Sequence, residues 1–472
     1  MRKNTLAAVI CLSLAATLGM CSCIHFPTYR SLVAPGASGR MLFRDAAVFT
    51  ATSSELLEHQ DVWVEDGLIT GIAPTSDTKE PAGTLVVDAQ GKTLIPGLVD
   101  VHVHTTMNSW PPWYATMPNP GHNLDAFLYA GITTVQDLGG QPEEIVGLRQ
   151  EIAEGKRQGP RIYFAGQIIT HKGGYPISMV RDAYGALAHA AIGTKLATEI
   201  ESPAEAALAV RKRFAAGATM IKVVIADIPR GAPRLSDAEL DAIVHQAHQL
   251  GLKVIAHIDT SEDALVAARH KVDALAHGVE TTPLTAEQAK ELVAAGIVMV
   301  PTLVNYERFC QIAQKRYTPL KLTVESEPAE ALAQFAPSYV DAAKLPDGFF
   351  KWGDELEANV KTRITNASTA HQAGLTLVAG ADSMGSVGTF ASDLHHELEM
   401  LVEAGLTPAE ALLAATSGAA KFITPQPSFG TIEVGKSADL LLLDGDPLKD
   451  ISTTQRLLMV LARGQVVDRL TK

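Results

Sequence analysis

The chain has 472 residues, 47% of them hydrophobic, with a formal net charge of −13, which suits one large α/β domain plus an accessory domain and excludes a disordered chain. The acidic balance, with no basic patch, argues against nucleic acid as a partner. Of four cysteines, Cys11, Cys21 and Cys23 lie near the N-terminus, so Cys310 in the body has no partner for an intramolecular disulfide framework.

Arg2 and Lys3 precede an apolar run over residues 6–20 that is short for a bilayer span and has the layout of a signal sequence. Residues 1–23 are expected to be a signal peptide. Leu18-Gly-Met-Cys21 and Cys23 resemble a bacterial lipoprotein processing site, with Met20 departing from the usual small residue. This predicts export from a bacterial cytoplasm, either to the periplasm or to a membrane through a lipidated N-terminal cysteine, with plain cleavage as the alternative. Residues 24–40 read as a tether.

Short β-type runs separated by turn residues follow at 41–50, 61–72 and 84–95, and the same texture returns at 430–444 and 457–468. Two β-rich ends around an α/β middle predict a discontinuous β-sandwich domain built from residues 41–95 and 426–472. Between them, residues 96–425 alternate apolar strand-like runs with amphipathic segments. Eight strands are expected at 97–104, 131–138, 161–170, 219–226, 253–258, 273–277, 297–303 and 375–382. Helices are expected at 202–216, 236–250 and 286–295, with Ser202, Ser236 and Thr285 as N-caps. The fold class is therefore α/β, a (β/α)8 TIM barrel whose site would lie at the C-terminal strand ends, with a doubly wound open sheet as the alternative.

Polar residues fall at those strand ends. His102 and His104, one residue apart, share a strand face, Lys222 interrupts the fourth run, and His257, His277 and Asp382 close later ones. Each alone has a bland reading as a hydrogen-bonded, capping or solvated residue. In a barrel, all six converge at one mouth. His171 in Thr170-His-Lys-Gly-Gly-Tyr-Pro176 and Tyr306 after the seventh strand are candidate substrate-binding residues, with loop structure and core packing as the alternatives. Trp110-Pro-Pro-Trp113 would line a pocket or pack a turn. Residues 305–373 read as helices over or beside the mouth. His245, His248, His395 and His396 read as structural or solvated, outside the metal set.

Pro96-Gly-Leu-Val-Asp-Val-His-Val-His104, Gly131-Ile-Thr-Thr-Val-Gln-Asp137, Lys222, Ala256-His257, Ala276-His277-Gly278, Gly380-Ala-Asp382 and Gly435-Lys-Ser-Ala-Asp-Leu440 together resemble the amidohydrolase superfamily. Within it, the chain looks most like the branch of imidazolonepropionase-like enzymes and prolidase-type metal-dependent dipeptidases. The resemblance implies that His102, His104 and Asp382 hold one divalent metal, that His257 and His277 hold a second, and that a carbamylated Lys222 bridges the two. Zinc suits such a His-rich set; an unmodified Lys222 would imply a single metal. The implied activity is hydrolysis of an amide, peptide or cyclic amide bond in a small-molecule substrate by a metal-activated water, with Asp382 as the catalytic proton carrier. An esterase or lactonase on the same site, or a non-catalytic ligand-binding surface lipoprotein, are the alternatives, and a homo-oligomer is left open.

Overall fold

The computed structural model describes residues 39–76, 79–111, 114, 117–179, 194–338, 347–385 and 387–469. The expected signal peptide, nearly all of the tether, and Trp113 lie outside the described residues.

The chain enters through β1 (Arg40–Phe49), β2 (Leu56–Glu65) and β3 (Leu68–Pro74), an antiparallel meander. Register shifts within β1 bend it, so that its first half pairs in parallel with β4 (Leu85–Asp88) and its second half with β5 (Thr93–Pro96). Only Gly97 separates β5 from β6 (Leu98–Val103), the first strand of the α/β body.

In that body, β6, β7 (Ile132–Asp137) and β8 (Arg161–Phe164) form one parallel sheet. A second parallel sheet contains β9 (Ile168–His171), β10 (Ala197–Ile200), β11 (Met220–Val224), β12 (Lys253–His257), β13 (Ala274–Ala276), β14 (Val298–Val300) and β15 (Thr376–Leu377), with β10 outermost and β9 next to β11. Backbone hydrogen bonds bridge the two sheets on both sides. Thr219 N donates to Phe164 O (2.9 Å), while Val101 N donates to Ala379 O (3.2 Å) and His104 N to Ser383 O (2.9 Å). Every residue of β6, β7 and β11 is buried, as expected of parallel strands covered on both faces.

All eight expected strands are found, with three differences. The third is broken into β8 and β9 where Gly166 takes φ +75°, a left-handed conformation that glycine adopts without a Cβ clash. The seventh stops at Val300, because Thr302 at φ +46° turns the chain and Leu303 already begins a helix. The eighth keeps only two ladder residues before the chain bends toward Asp382. Helices Pro203–Ala215, Asp237–Gln249 and Ala286–Ala294 start where expected, with the Ser202, Ser236 and Thr285 side chains accepting from backbone N–H groups in the first turn. Downstream of β14, the described residues include the helices Leu303–Ala313 and Asp347–Gln372.

The chain then returns to the first sheet. β16 (Leu440–Leu443) inserts antiparallel between β5 and β17 (Leu457–Ala462), and β18 (Gln465–Val466) follows as a hairpin partner. Phe43, Val48, Val62, Ile69, Leu94, Leu440, Leu442 and Leu461 share one buried cluster, so segments nearly 400 residues apart build a common core. The small sheet is mixed rather than purely antiparallel, because β4 and β5 both run parallel to β1.

A candidate metal centre at the strand ends

The alternation that aims His102 and His104 the same way extends back to Asp100. Its buried carboxylate accepts from His102 N (3.0 Å), from Ala381 N (3.2 Å) and from Ser383 Oγ (3.3 Å), tying the first strand to the eighth. Across that seam, Asp382 Oδ1 lies 3.3 Å from His102 Nε2 and 3.1 Å from His104 Nε2. Asp382 Oδ2 accepts from Asn305 Nδ2. His104 turns Nδ1 toward Gly139 O (3.2 Å), and His277 turns Nδ1 toward Thr302 Oγ1 (2.8 Å), which leaves each Nε2 facing inward. Such outer contacts fix ring orientation in metal sites.

The imidazoles form a contiguous set: centroids of His102 and His277 are 4.9 Å apart, and those of His257 and His277 4.4 Å. His102, His277 and Asp382 each offer a donor atom, and these atoms lie within 4.8 Å of one another. A cavity of about 160 Å3 is lined by all six expected ligands, together with Asn305, Tyr306 and Tyr175. Tyr175 packs against the His257 ring with centroids 4.7 Å apart.

Burial dominates the electrostatics. It lowers His102, His257 and His277 well below the usual histidine range, and the nearby Lys222 pushes the same way. These rings are therefore neutral, the form that ligates metal. For His104 burial is the largest influence and opposes charge, but the Asp382 carboxylate beside it, with Asp137 and the contact with Gly139 O, together shift it upward. Lys222 is brought down to about 7 by burial, against the attraction of Asp382. The Nζ of Lys222, Nδ1 of His102 and Nε2 of His257 are buried with no hydrogen-bond partner among the described residues. Buried polar atoms normally have partners, so this donor set fits divalent metal.

Tyr306 lines the cavity, whereas His171 does not. The His171 Nδ1 lies 3.1 Å from Glu239, whose carboxylate also caps its own helix at Ser236. Trp110 packs with Phe390, Phe335 and Tyr114 in an aromatic cluster. His245 and His248 sit on the outer helix Asp237–Gln249, His395 is buried against Ala130 O and His396 lies between Glu307 and Glu399, all outside the cavity. Sequence reasoning assigned no role to Asp100, whose alternation with His102 was the available signal. It also missed Asn305 and Thr302, which lie beyond a strand end and carry no periodic signal.

The sequence model of the amidohydrolase family matches residues 93–467. The chain is 26% identical over 390 residues to ochratoxinase of Aspergillus niger, covering 77% of this chain and 72% of that one. It is 24% identical over 403 residues to imidazolonepropionase of a Geobacillus species, covering 82% and 84%. Among solved structures, a prolidase complexed with N-methylphosphonate-L-proline superposes with a TM-score of 0.72 at 27% identity, covering 91% of this chain and all of that one. With the match spanning most of its length and six ligand-capable groups around one buried cavity, the chain belongs to the amidohydrolase family, metal-dependent enzymes acting on carbon–nitrogen bonds.

Proposed function

We propose that the chain hydrolyses an amide or peptide bond of a small-molecule substrate at a two-metal site, as a dipeptidase or an enzyme of cyclic amides. His102, His104 and Asp382 would hold one divalent ion and His257 and His277 the other, with Lys222 shared between them as a carbamate. The observation that carries this reading is the group of three buried atoms without partners, on Lys222, His102 and His257, in a cavity that also holds Asp382. Zinc suits these ligands. Metal bound there supplies a water activated for attack and polarises the scissile carbonyl.

The residues contribute the rest. The neutral amine of Lys222, favoured by burial, is the form that adds to carbon dioxide, forming an N–C bond and releasing a proton. Asp382, with Oδ2 held by Asn305, takes the proton of the attacking water and delivers it to the leaving nitrogen. Neutral His257 and His277 keep their ring nitrogens available for ligation.

His257→Ala is expected to lower bound metal, measured by elemental analysis, and to abolish turnover of a panel of dipeptides, N-acyl amino acids and hydantoin-like rings. Unchanged metal content and activity would overturn the assignment. Turnover of esters or lactones but not amides would favour the esterase reading, and no turnover when fully metallated the ligand-binding one. We also propose that residues 1–23 direct export, with Cys21 or Cys23 as the lipidated residue; N-terminal mass analysis of the protein isolated from membranes tests this.

A further inference from the structure

We infer that Glu397, outside the metal pocket, is a positioning residue for it: by accepting from the first backbone N–H groups of the helix Leu303–Ala313, its carboxyl sets Asn305 against Asp382. The inference rests on reading Asp382 as a metal ligand and proton carrier. Asn305 and Tyr306, which both line the pocket, lie in the first turn of that helix, and Asn305 Nδ2 donates to Asp382 Oδ2. Where the helix starts therefore decides how the Asp382 carboxylate is held.

That start lacks the usual local cap. The first N–H groups of a helix have no partner within it, and a side-chain oxygen at the residue before the helix ordinarily accepts from one of them. Here that residue is Thr302, in a left-handed conformation at φ +46°, and its side chain makes no capping bond. Its Oγ1 is turned instead to His277 Nδ1, 2.8 Å away. The acceptor comes from another helix, Asp393–Glu403: Glu397 Oε2 accepts from Val304 N (2.9 Å), and the carboxyl is also hydrogen-bonded to the Leu303 backbone.

Glu397 is fully buried, and its Oε1 has no hydrogen-bond partner among the described residues. Burial pushes this carboxyl up to about 8, against the pull of the Val304 and Leu303 amides. An apolar residue would fill the space without the cost of burying a polar group; what it could not supply is the acceptor. Two further ties fix the same pair of helices farther along. Arg308 Nη2 and Nε donate to Asp393 Oδ1 (2.7 and 3.0 Å), and His396 Nε2 meets Glu307 Oε2. Those hold the middle of the helix Leu303–Ala313, while Glu397 grips the turn that carries Asn305.

The test uses the full chain, with zinc titrated into the metal-free protein. Glu397→Asp keeps the carboxyl but draws it back by about 1.5 Å, one carbon–carbon bond, out of reach of Val304 N. Glu397→Gln keeps an acceptor at full reach. Glu397→Asp should weaken zinc binding about tenfold or more, as loss of outer support does, whereas Glu397→Gln should stay within about threefold of wild type because its amide oxygen still accepts. With Asn305→Ala already in place, Glu397→Asp should cost less than about twofold further, because the two act through one contact; a merely structural loss would add in full. Amide hydrogen exchange of the wild type needs no variant: the Leu303 and Val304 N–H groups should be protected, as uncapped first-turn amides are not. Fast exchange at those two amides, additive losses in the double variant, an equal loss in Glu397→Gln and Glu397→Asp, or wild-type zinc affinity in Glu397→Asp would overturn the proposal. Weaker zinc binding in Glu397→Asp, coupled to Asn305, with no amide cut by the wild type would sink the hydrolase reading and leave the positioning role standing.

Discussion

Asn305 shows how much of the centre depends on groups that ligate nothing. By donating to Asp382 Oδ2, it leaves Oδ1 facing His102 and His104. Asp382 and His277 both hold left-handed backbone conformations, at φ +53° and +70°; such strain costs about 1–3 kcal/mol per residue and persists only where the surroundings enforce it. Gly385 makes room for this arrangement, since a Cβ there would collide with Asp382 Oδ1 and the His104 ring. Asn305→Ala is expected to lower metal affinity or kcat by about 10–100-fold, the usual effect of losing an outer-shell partner, with the fold intact by circular dichroism. Wild-type metal titration and kcat in that variant would show that Asp382 orients itself. The six ligand-capable residues were legible because each falls at or near the end of an apolar run. Asn305 was not, because its proximity to Asp382 depends on the turn at Thr302 and the helix that follows, which no local pattern announces.

Among the elements, the seam between β6 and the eighth strand matters most, because it joins His102 and His104 to Asp382. Where the ladder shrinks to Thr376–Leu377, Asp100 takes over with its three accepted hydrogen bonds. Asp100→Ala would leave buried donors unsatisfied, at a cost of about 1–3 kcal/mol each. Urea denaturation should show a loss of at least that size, and metal binding should weaken with it; a midpoint within error of wild type would mean that the seam holds without the clamp. Strand existence was readable from apolar runs and helix starts from their caps. What could not be read was where a run changes conformation inside itself, as between β8 and β9 or at Thr302, since these breaks depend on single backbone angles set by the neighbouring strands.

Across the whole molecule, His395 joins three regions. Its Nε2 donates to Ala130 O (2.8 Å) and its Nδ1 lies 3.0 Å from Thr454 Oγ1, linking the helix Asp393–Glu403 to the C-cap of the helix Pro120–Tyr129 and to the C-terminal segment. Burial lowers its pKa from 6.5 to about 4. The unfolded chain therefore takes up a proton that the folded chain refuses, and the stability contributed by neutral His395 is lost as pH falls from 6.5 toward 4. His395→Gln should be less stable than wild type at pH 7, and the gap in Tm should narrow by pH 5; a constant gap would exclude this linkage. The join between the chain's two ends was legible as matching β texture, but the insertion of β16 beside β5 was not, because strand order leaves no local trace. That insertion has a consequence for biogenesis. When the chain emerges from its N-terminus, β5 pairs with β1 on one side while its other edge waits for residues 440–443, more than 340 positions later. Throughout that interval an unfinished sheet edge, one residue from the first ligand strand, is open to wrong pairing. The small sheet can therefore be completed only after the C-terminal strands have emerged.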